Sequence, residues 1–498
     1  MIDPVRPQRL APAIPTGQTG VSPSSGTCTQ PLTFCGAIAV DPATNLALVV
    51  NSFSGNVSVV QLGQLKPVHI GQWLLQPTAS ASQLLAPQTA FTSTADLPIS
   101  IYGSGFTGSP QVRLDGVAVG PATVVSDRQI DVTIPASLFL ASPRRFALDV
   151  VNNGVLSNAT DFAVAESVDL SGTGCTALQP TGVAIGENVV IGGQPLDLAI
   201  VSLNGCNNAA VIDLTPGSTT FGQVTQTIAV GNAPTGVAVI PRLGLAVVAN
   251  STASGTSSGA GTASVIDLTQ NLVTQSVGVG TEPSAVAINP YTAQAYVLNT
   301  KSNTMTQIDL TDLTKNPLPT TIGAVDEQPI AMAIDPDRQI AVVGAVSIGS
   351  GGVLDVVNIS GTAPVRKGSN SASANLPTGV VFDPVSTDFL AVDSLGNDCI
   401  IFNPDTGQSQ TVRVGVNPTS LAYDYQTGTL ITVNTISNTV SFVDAQRLVT
   451  KATLPLGLPQ TGVGNTNPQF GVAVHMRSNL AVIADQINNR VLLYPMPH

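Results

Sequence analysis

Charged residues are scarce in this chain. Only 10% of its 498 residues are Asp, Glu, Lys or Arg, and 30 acids outnumber 18 bases to leave a net charge of −12. A phosphate backbone would be repelled by that average field, and no Lys/Arg stripe overrules it, so a nucleic-acid partner is not expected. Aromatic residues make up 4% of the chain, too few for the aromatic girdles of a membrane β-barrel. No uninterrupted apolar run approaches the roughly 18 residues that would mark a transmembrane helix. Stretches such as VAVIPRLGLAVVAN (237–250) are broken by Pro, Gly, Arg and Asn.

Histidine is nearly missing, with His69, His475 and His498 alone. No HExxH and no CxxC pair occurs, which removes the common signatures of zinc proteases and zinc clusters. Structural roles are expected for His69 and His475. The five cysteines are Cys28, Cys35, Cys175, Cys206 and Cys399. Four lie in loop-like contexts and permit up to two disulfides, Cys28–Cys35 and Cys175–Cys206 in the pairing we favour, with other pairings open. Cys399 follows a strand pattern and reads as a buried thiol. Five buried thiols in a reducing compartment is the alternative.

What the chain has in quantity is Gly (46), Pro (36) and hydrophobic residues (43%). That profile suits many short strands and tight turns, not helices or disorder. Residues 295–310, AYVLNTKSNTMTQIDL, show the pattern: alternation, an Asn/Ser turn, alternation again. Relatives of this stretch recur along the chain, among them PTGVAIGENVV…AAVIDL (180–214), PTGVVFDPVSTDFLAVDSLGNDCIIF (377–402) and PTSLAYDYQTGTLITVNTISNTVSFVD (418–444). With CGAIAVDPATNLALVVNSFSGNVSVVQL (35–62), the copies number eight. The later units open at Pro180, Pro234, Pro283, Pro329, Pro377, Pro418 and Pro468, with spacings of 54, 49, 46, 48, 41 and 50 residues. Three strand-like runs per unit, followed in most by a fourth such as QTIAVG (226–231), match the spacing of β-propeller blades.

YVLNTKSNTMTQIDL and ITVNTISNTVSFVD resemble the repeat of YVTN-type β-propellers, a bacterial surface and secreted group related to NHL and lactonase-like propellers. The resemblance covers 30–70 and 180–498. It implies an all-β propeller, with eight blades favoured and seven possible. The last unit ends at MPH without a fourth strand, so residues 8–20 are expected to supply the closing one.

Residues 72–166 break the period. ISIYGSGFTGSPQVRLDG (99–116) and the strand pattern that follows resemble the IPT/TIG family of immunoglobulin-like domains. Gly103 and Gly105 would allow a tight turn and Phe106 would plug the sandwich; with no helix after it, GSGF is not read as a phosphate loop. The expected domains are thus 1–71, a closing strand and first blade ending in PVHIG (67–71); 72–166, the inserted sandwich; and 167–498, the remaining blades.

Candidate sites follow from the repeat. Asn51, Asn250, Asn299, Asp393, Asn434 and Asp485 recur at second-strand ends, where they build turns or form a polar rim for a sugar or peptide. Trp73 sits at the sandwich junction. Related propellers include lactonases and lyases that use His, Glu or Arg around the channel, sometimes with calcium. Glu is sparse here, but Glu282 and Glu327, the latter beside Asp326, precede opening prolines and would lie at a channel mouth, where paired carboxylates can hold calcium or act as acid and base. We expect no cofactor beyond that ion and no catalytic set. The chain reads as a monomeric binding or scaffold protein recognising an envelope protein or polysaccharide through one propeller face, the 251–262 loop and the sandwich. A lactonase-like hydrolase or lyase is the alternative. The polar Ser/Thr/Asn surface favours a cell-surface, periplasmic or extracellular location, although the opening MIDPVRPQRLAPAIPTG holds no apolar signal core.

Overall fold

The computed structural model describes residues 38–41, 46–51, 56–61, 69–70, 85–87, 89–92, 95–138, 143–175, 177–251, 259–314, 320–321, 327–347, 351–367, 372–456, 470–486 and 488–497. It is almost entirely antiparallel β-structure. Two compact units divide it, Met1–Val164 and Ala165–His498. Among the described residues no helix is long and apolar enough to cross a membrane.

In the second unit the described residues form seven sheets, called blades 1–7. Their first strands are Pro180–Ile191, Pro234–Ile240, Pro283–Asn289, Glu327–Asp335, Pro377–Phe382, Pro418–Asp424 and Phe470–His475. Blade 3 is representative: Pro283–Asn289, Gln294–Asn299, Thr304–Asp309 and Thr320–Thr321 pair in chain order. Each first strand packs against the next, and Phe470–His475 packs back against Pro180–Ile191. The ring is therefore closed.

The middle strands explain why a β-pattern here is nearly continuous in apolar residues. Ala295, Tyr296, Val297, Leu298 and Asn299 are all buried. Ala295 and Val297 join the core shared with blade 2, while Tyr296 and Leu298 join the core shared with blade 4. A blade has neighbours on both faces, so alternation sorts residues between two cores rather than between core and water. The turns are set by polar side chains. Asn289, Asp335, Asp383 and Asp424 accept from the amides of Tyr291, Asp337, Val385 and Gln426 where the first strand turns into the second. Asn303, Asn397, Asn438 and Asn489 take positive φ of 52–58° where the second turns into the third, a conformation Asn tolerates better than most residues.

Three expectations need correction. The eighth copy is not a blade of this ring: its strands Ile38–Asp41, Leu46–Asn51 and Asn56–Gln61 form a separate three-stranded sheet assigned to the first unit. The fourth strand of blade 7 comes from Thr160–Val168, whose Glu166, Ser167 and Val168 pair with Leu493, Leu492 and Val491; residues 8–20 lie outside the described residues. The segment PVHIG does not close a first blade, because His69 and Ile70 pair with Ser104 and Gly103. A repeat copy specifies its own hairpins. Which copy joins the ring is decided by contacts distant in sequence.

In the first unit, Leu97–Ser104 pairs with Gln129–Ile134, and Arg144–Asn152 pairs with Gln111–Leu114 and with Thr160–Val164. Ile99, Ile101 and Ile130 from one sheet share a core with Val112, Phe146, Leu148 and Phe162 from the other. Phe106 is buried in that core, and Gly105 has φ 82°. Gly103 instead lies within a strand.

Small residues allow the seven first strands to converge. A Cβ on Gly182 would lie 2.2 Å from the Thr235 carbonyl oxygen, and one on Gly471 would lie 2.4 Å from that of Thr181. Both are far inside contact distance, and the obstacle is backbone. Gly471→Ala should lower unfolding free energy by about 2 kcal/mol, as overpacking does, in equilibrium denaturation. Gly278→Ala, whose Cβ meets nothing within 4 Å, should change it by about 0.5 kcal/mol or less. Equal effects would mean that convergence at the ring closure is not constrained.

Candidate functional site

The proline that opens a blade carries no N–H, so its carbonyl is its one backbone hydrogen-bonding group. In blades 1–6 the pairing register shifts immediately after that proline. Such a bulge re-aims the residues beside it. Here it directs Thr181, Thr235, Ser284 and Thr378 to the wall of a central cavity of about 560 Å³.

Their hydroxyls reach the next blade. Thr181 Oγ1 donates to the Pro234 carbonyl at 3.1 Å, and Thr235 Oγ1 to that of Pro283 at 2.9 Å. In blade 3 the donor is Thr300, at 2.7 Å from the Pro329 carbonyl, and its Oγ1 also lies 2.8 Å from Ser284 Oγ. Thr378 and Ser394 both reach the Pro418 carbonyl. Deeper along the same strands the wall becomes aliphatic, with Val183, Val237, Val286, Met332, Val380, Leu421 and Val472.

Glu282 is the single ionisable residue among the described residues lining this cavity. It has φ 53°, in the left-handed region, and its carbonyl accepts from Thr300 N at 3.0 Å. Gln179, Ala233 and Asn417 hold the matching places in blades 1, 2 and 6, with positive φ and the same carbonyl contact to Asn204, Ser251 and Thr435. The backbone of Glu282 is thus fixed by the scaffold and its side chain is projected at the mouth. Lys301 Nζ lies 3.2 Å from its carboxylate, with both side chains substantially exposed.

Across the ring the same turn positions carry different chemistry. Lys301 N bonds to the Thr281 carbonyl, and Ile436 N bonds in the same way to that of Val416. Ile436 and Leu395 are each 65% exposed and Val416 is 45% exposed. These three aliphatics occupy the mouth-side loops of adjacent blades 5 and 6.

Asn250, Asn299, Asp393, Asn434 and Asp485 of the recurring set are buried and do not form a rim. Asn299 is fully buried and its amide donates to the Oγ1 atoms of Thr304 and Thr306, each at 3.0 Å. Asn250 and Asn434 make matching bonds to Thr262 and Ser264 and to Thr439 and Ser441. Asp393 accepts from the amides of Asn375, Leu376 and Gly396, and Asp485 from Arg490 and Asn488. Packing on both blade faces buries the end of the second strand, so polar side chains there bind their own sheet. Asn51 lies on a strand paired with Asn56, and Glu327 opens the first strand of blade 4. Trp73, Asp326, Cys28, Cys35 and most of the 251–262 loop lie outside the described residues.

Cys175 and Cys206 are joined by a disulfide with Cα atoms 5.8 Å apart. Cys399 is a buried free thiol, and burial pushes its pKa up, which keeps it protonated and unreactive.

His475 belongs to the seam between blades 7 and 1. It is fully buried, with Nε2 3.1 Å from Asp197 Oδ2, itself fully buried. Arg477 Nη1 lies 3.1 Å from the same oxygen, Asn188 N donates to Oδ1 at 2.8 Å, and Met476 N donates to Glu187. Burial acts to raise the Asp197 pKa, but the Asn188 amide, Arg477 and His475 outweigh it and hold the carboxyl below its usual range. No signal beyond the residue types pointed to this cluster, whose members are about 280 positions apart.

The arrangement of sheets defines a β-propeller. Among solved structures the chain is similar to hydrazine synthase of Kuenenia stuttgartiensis, at 16% identity and TM-score 0.52 over 65% of this chain and 97% of that one. It is also similar to selenomethionine-substituted virginiamycin B lyase from Staphylococcus aureus, at 9% identity and TM-score 0.48 over 67% and 99%. A third is the β-propeller domain of Myceliophteria thermophila Cps50 (Swd1), at 10% identity and TM-score 0.48 over 64% and 97%. At these identities the likeness concerns the fold alone. No protein-family model matches the chain, and no curated protein matches it.

The seam makes a pH prediction. A carboxyl with a depressed pKa contributes stability that is full above its unfolded value, about 3.9, and is lost as pH falls through its folded value. Asp197→Asn should therefore cost about 2 kcal/mol at pH 7, because the fully buried His475 loses its charged hydrogen-bond partner. The difference between variant and wild type in urea denaturation should persist to about pH 5 and shrink below about pH 4. A difference that does not vary with pH would contradict the charged seam.

Proposed function

We propose that this chain is an exported, non-enzymatic binding or scaffold protein, a YVTN-type propeller joined to an IPT/TIG-like sandwich, that recognises an envelope protein or polysaccharide through the channel-mouth face. The observation that carries this reading is the exposed trio Leu395, Val416 and Ile436 beside the hydroxyl-lined cavity. Exposed aliphatics on neighbouring loops, bordered by polar groups, are a feature of interaction surfaces. They favour a protein partner over a polysaccharide.

Two further features support it. The Cys175–Cys206 disulfide suits an oxidising compartment outside the cytoplasm. The threonine protons around the mouth are held by proline carbonyls, so those hydroxyls are anchored rather than activated as nucleophiles. The buried His475–Asp197 pair has no opening to a substrate. These observations weigh against a lactonase-like hydrolase or lyase.

The test is a double variant, Leu395→Glu with Ile436→Glu, used to capture envelope proteins and to probe a glycan panel. The ligand retained by wild type should be lost. Tyr291→Glu, which alters an exposed residue in the turn at the other end of a blade, should retain it. Equal retention by all three proteins would remove the mouth face as the recognition surface.

A further inference from the structure

We propose that the mouth-side turn of blade 5, which presents Leu395, is a proton-sensitive element: the facing carboxyls of Asp393 and Asp398 hold it in acid and loosen it toward neutral pH. The proposal rests on the reading of the mouth face as the recognition surface, and it names how recognition there is regulated.

One pair of positions differs between blades that otherwise match. The residue paired with the opening proline ends the second strand, and the residue facing it begins the third. In blades 2, 3 and 6 the two are Asn250 and Thr262, Asn299 and Thr304, and Asn434 and Thr439. In each the amide donates to the hydroxyl, at 3.0–3.1 Å. In blade 5 the same two places are Asp393 and Asp398. Ionised carboxylates only accept, so the clamping bond of the other blades cannot form here. A single proton restores a donor to the pair.

The two carboxyls are close. A Cβ on Gly396, in the turn between them, would lie 2.7 Å from Asp393 Oδ2 and 3.0 Å from Asp398 Oδ1. Asp393 is buried and accepts from Asn375 N, Asn375 Nδ2, Leu376 N and Gly396 N at 2.7–3.0 Å. Its oxygens are thus fixed by four N–H donors, and a proton shared by the pair is better placed on Asp398. Burial raises the Asp398 pKa, the Asp393 carboxylate raises it further, and Arg413, opposite Asp398 on the fourth strand, opposes both. The Arg413 guanidinium also donates to the Gly396 carbonyl. The segment entering from blade 4, Ala372–Leu376, meets Asp393 through Asn375 and Leu376 and carries no charge. On the blade 6 side Asn417 N donates to Asn397 Oδ1, again without charge.

The direction of the effect follows. A carboxyl with a raised pKa contributes stability that is full below its unfolded value, about 3.9, and is lost as pH rises through its folded value. That is opposite in sign to Asp197. The loss is local, because the like charges face each other across the ends of one hairpin. The turn they bracket, residues 394–397, carries Leu395, which is 65% exposed. The Gly396 amide in that turn is itself a donor to Asp393, so repulsion between the carboxylates acts on the backbone that positions Leu395.

The experiment is backbone hydrogen exchange of the full chain, read by mass spectrometry on peptides covering the blade 5 turn and corrected for the intrinsic effect of pH. Wild type, Asp398→Thr and Asp398→Asn are compared from about pH 4 to about pH 8. Protection of the wild-type turn should fall about two- to fivefold as pH rises, the size of a like-charge effect across strands. Asp398→Thr, which installs the residue of blades 2, 3 and 6, should remove that fall, and so should Asp398→Asn. Arg413→Gln, which alters an exposed side chain and takes away the charge favouring ionised Asp398, should move the wild-type transition to higher pH. In the capture of envelope proteins described above, wild type should lose ligand toward neutral pH relative to Asp398→Thr. A wild-type turn whose protection varies with pH no more than that of the variants would overturn the proposal. So would an unmoved transition in Arg413→Gln. Equal pH dependence of capture by wild type and Asp398→Thr would overturn the regulation. If Leu395→Glu with Ile436→Glu keeps its ligand, the mouth-face reading falls instead, whatever the exchange shows.

Discussion

A hydroxyl of one blade bound to the proline carbonyl that opens the next, from Thr181, Thr235, Thr300 and Thr378 in blades 1, 2, 3 and 5, is the contact around which the second unit is arranged. A propeller has no continuous sheet to hold its blades in order. Its first strands must converge on an axis, where crowding is greatest and where buried backbone carbonyls would otherwise lack partners. The proline near the start of blades 1–6 removes a donor that could not be satisfied there. The bulge after it turns the next side chain toward the following blade, and the hydroxyl then closes the contact. Each bond contributes about 1 kcal/mol, but its geometry also fixes the angle between neighbours. Small residues at the next position, Gly182 and Gly471 among them, permit the approach that the bond requires.

Ring closure is the place where repetition cannot help, because the first and last blades are distant in sequence and must find each other. The seam between blades 7 and 1 is correspondingly different from the others. It combines a shared core, in which Val482, Val491 and Leu493 meet Ala199, Val201 and Ile212, with the buried Asp197–His475 pair, which the exposed Arg477 caps from outside. A buried ion pair is a weak source of net stability but a strict one for geometry, since mispairing leaves an uncompensated charge. Hydrophobic contact draws the ends together, and the charged group accepts only one register. Glu166–Val168 then completes blade 7, so that the chain before blade 1 and the chain's last strand are in one sheet.

Much of this was legible in the sequence because a blade is a local object. The proline spacing, the Asx residues of the turns and the positive-φ asparagines can be read from short windows, and AYVLNTKSNTMTQIDL pairs as its alternation implies. Ring membership could not be read this way. The copy at 35–62 has the same hairpin pattern as the blades, yet its strands form their own sheet. Burial misled for a related reason. Asn299 reads as a turn or rim residue, but a strand covered on both faces carries its terminal residue into the interior. The signal that would have found the mouth was present in the PT and PS dipeptides at the head of most units. A threonine after a proline, however, carries no chemistry until the next blade is placed beside it.

A repeated scaffold also changes what counts as a functional residue. Positions that recur in every blade, such as the second-strand asparagines, are accounted for by their own sheet's hydrogen bonds. Function is then expected at positions where the backbone is the same and the side chain is not. Residues 282, 233 and 417 share one backbone conformation and one carbonyl contact, yet only the first is charged. Residues 301 and 436 share another, and one is Lys where the other is Ile. No packing demand of the blade distinguishes these copies, because their backbones solve the same structural problem. The difference produces a mouth with a carboxylate on blade 3 and exposed aliphatics on blades 5 and 6. An uncharged structural spacer has no need of that asymmetry, whereas a binding face would use it to orient its partner.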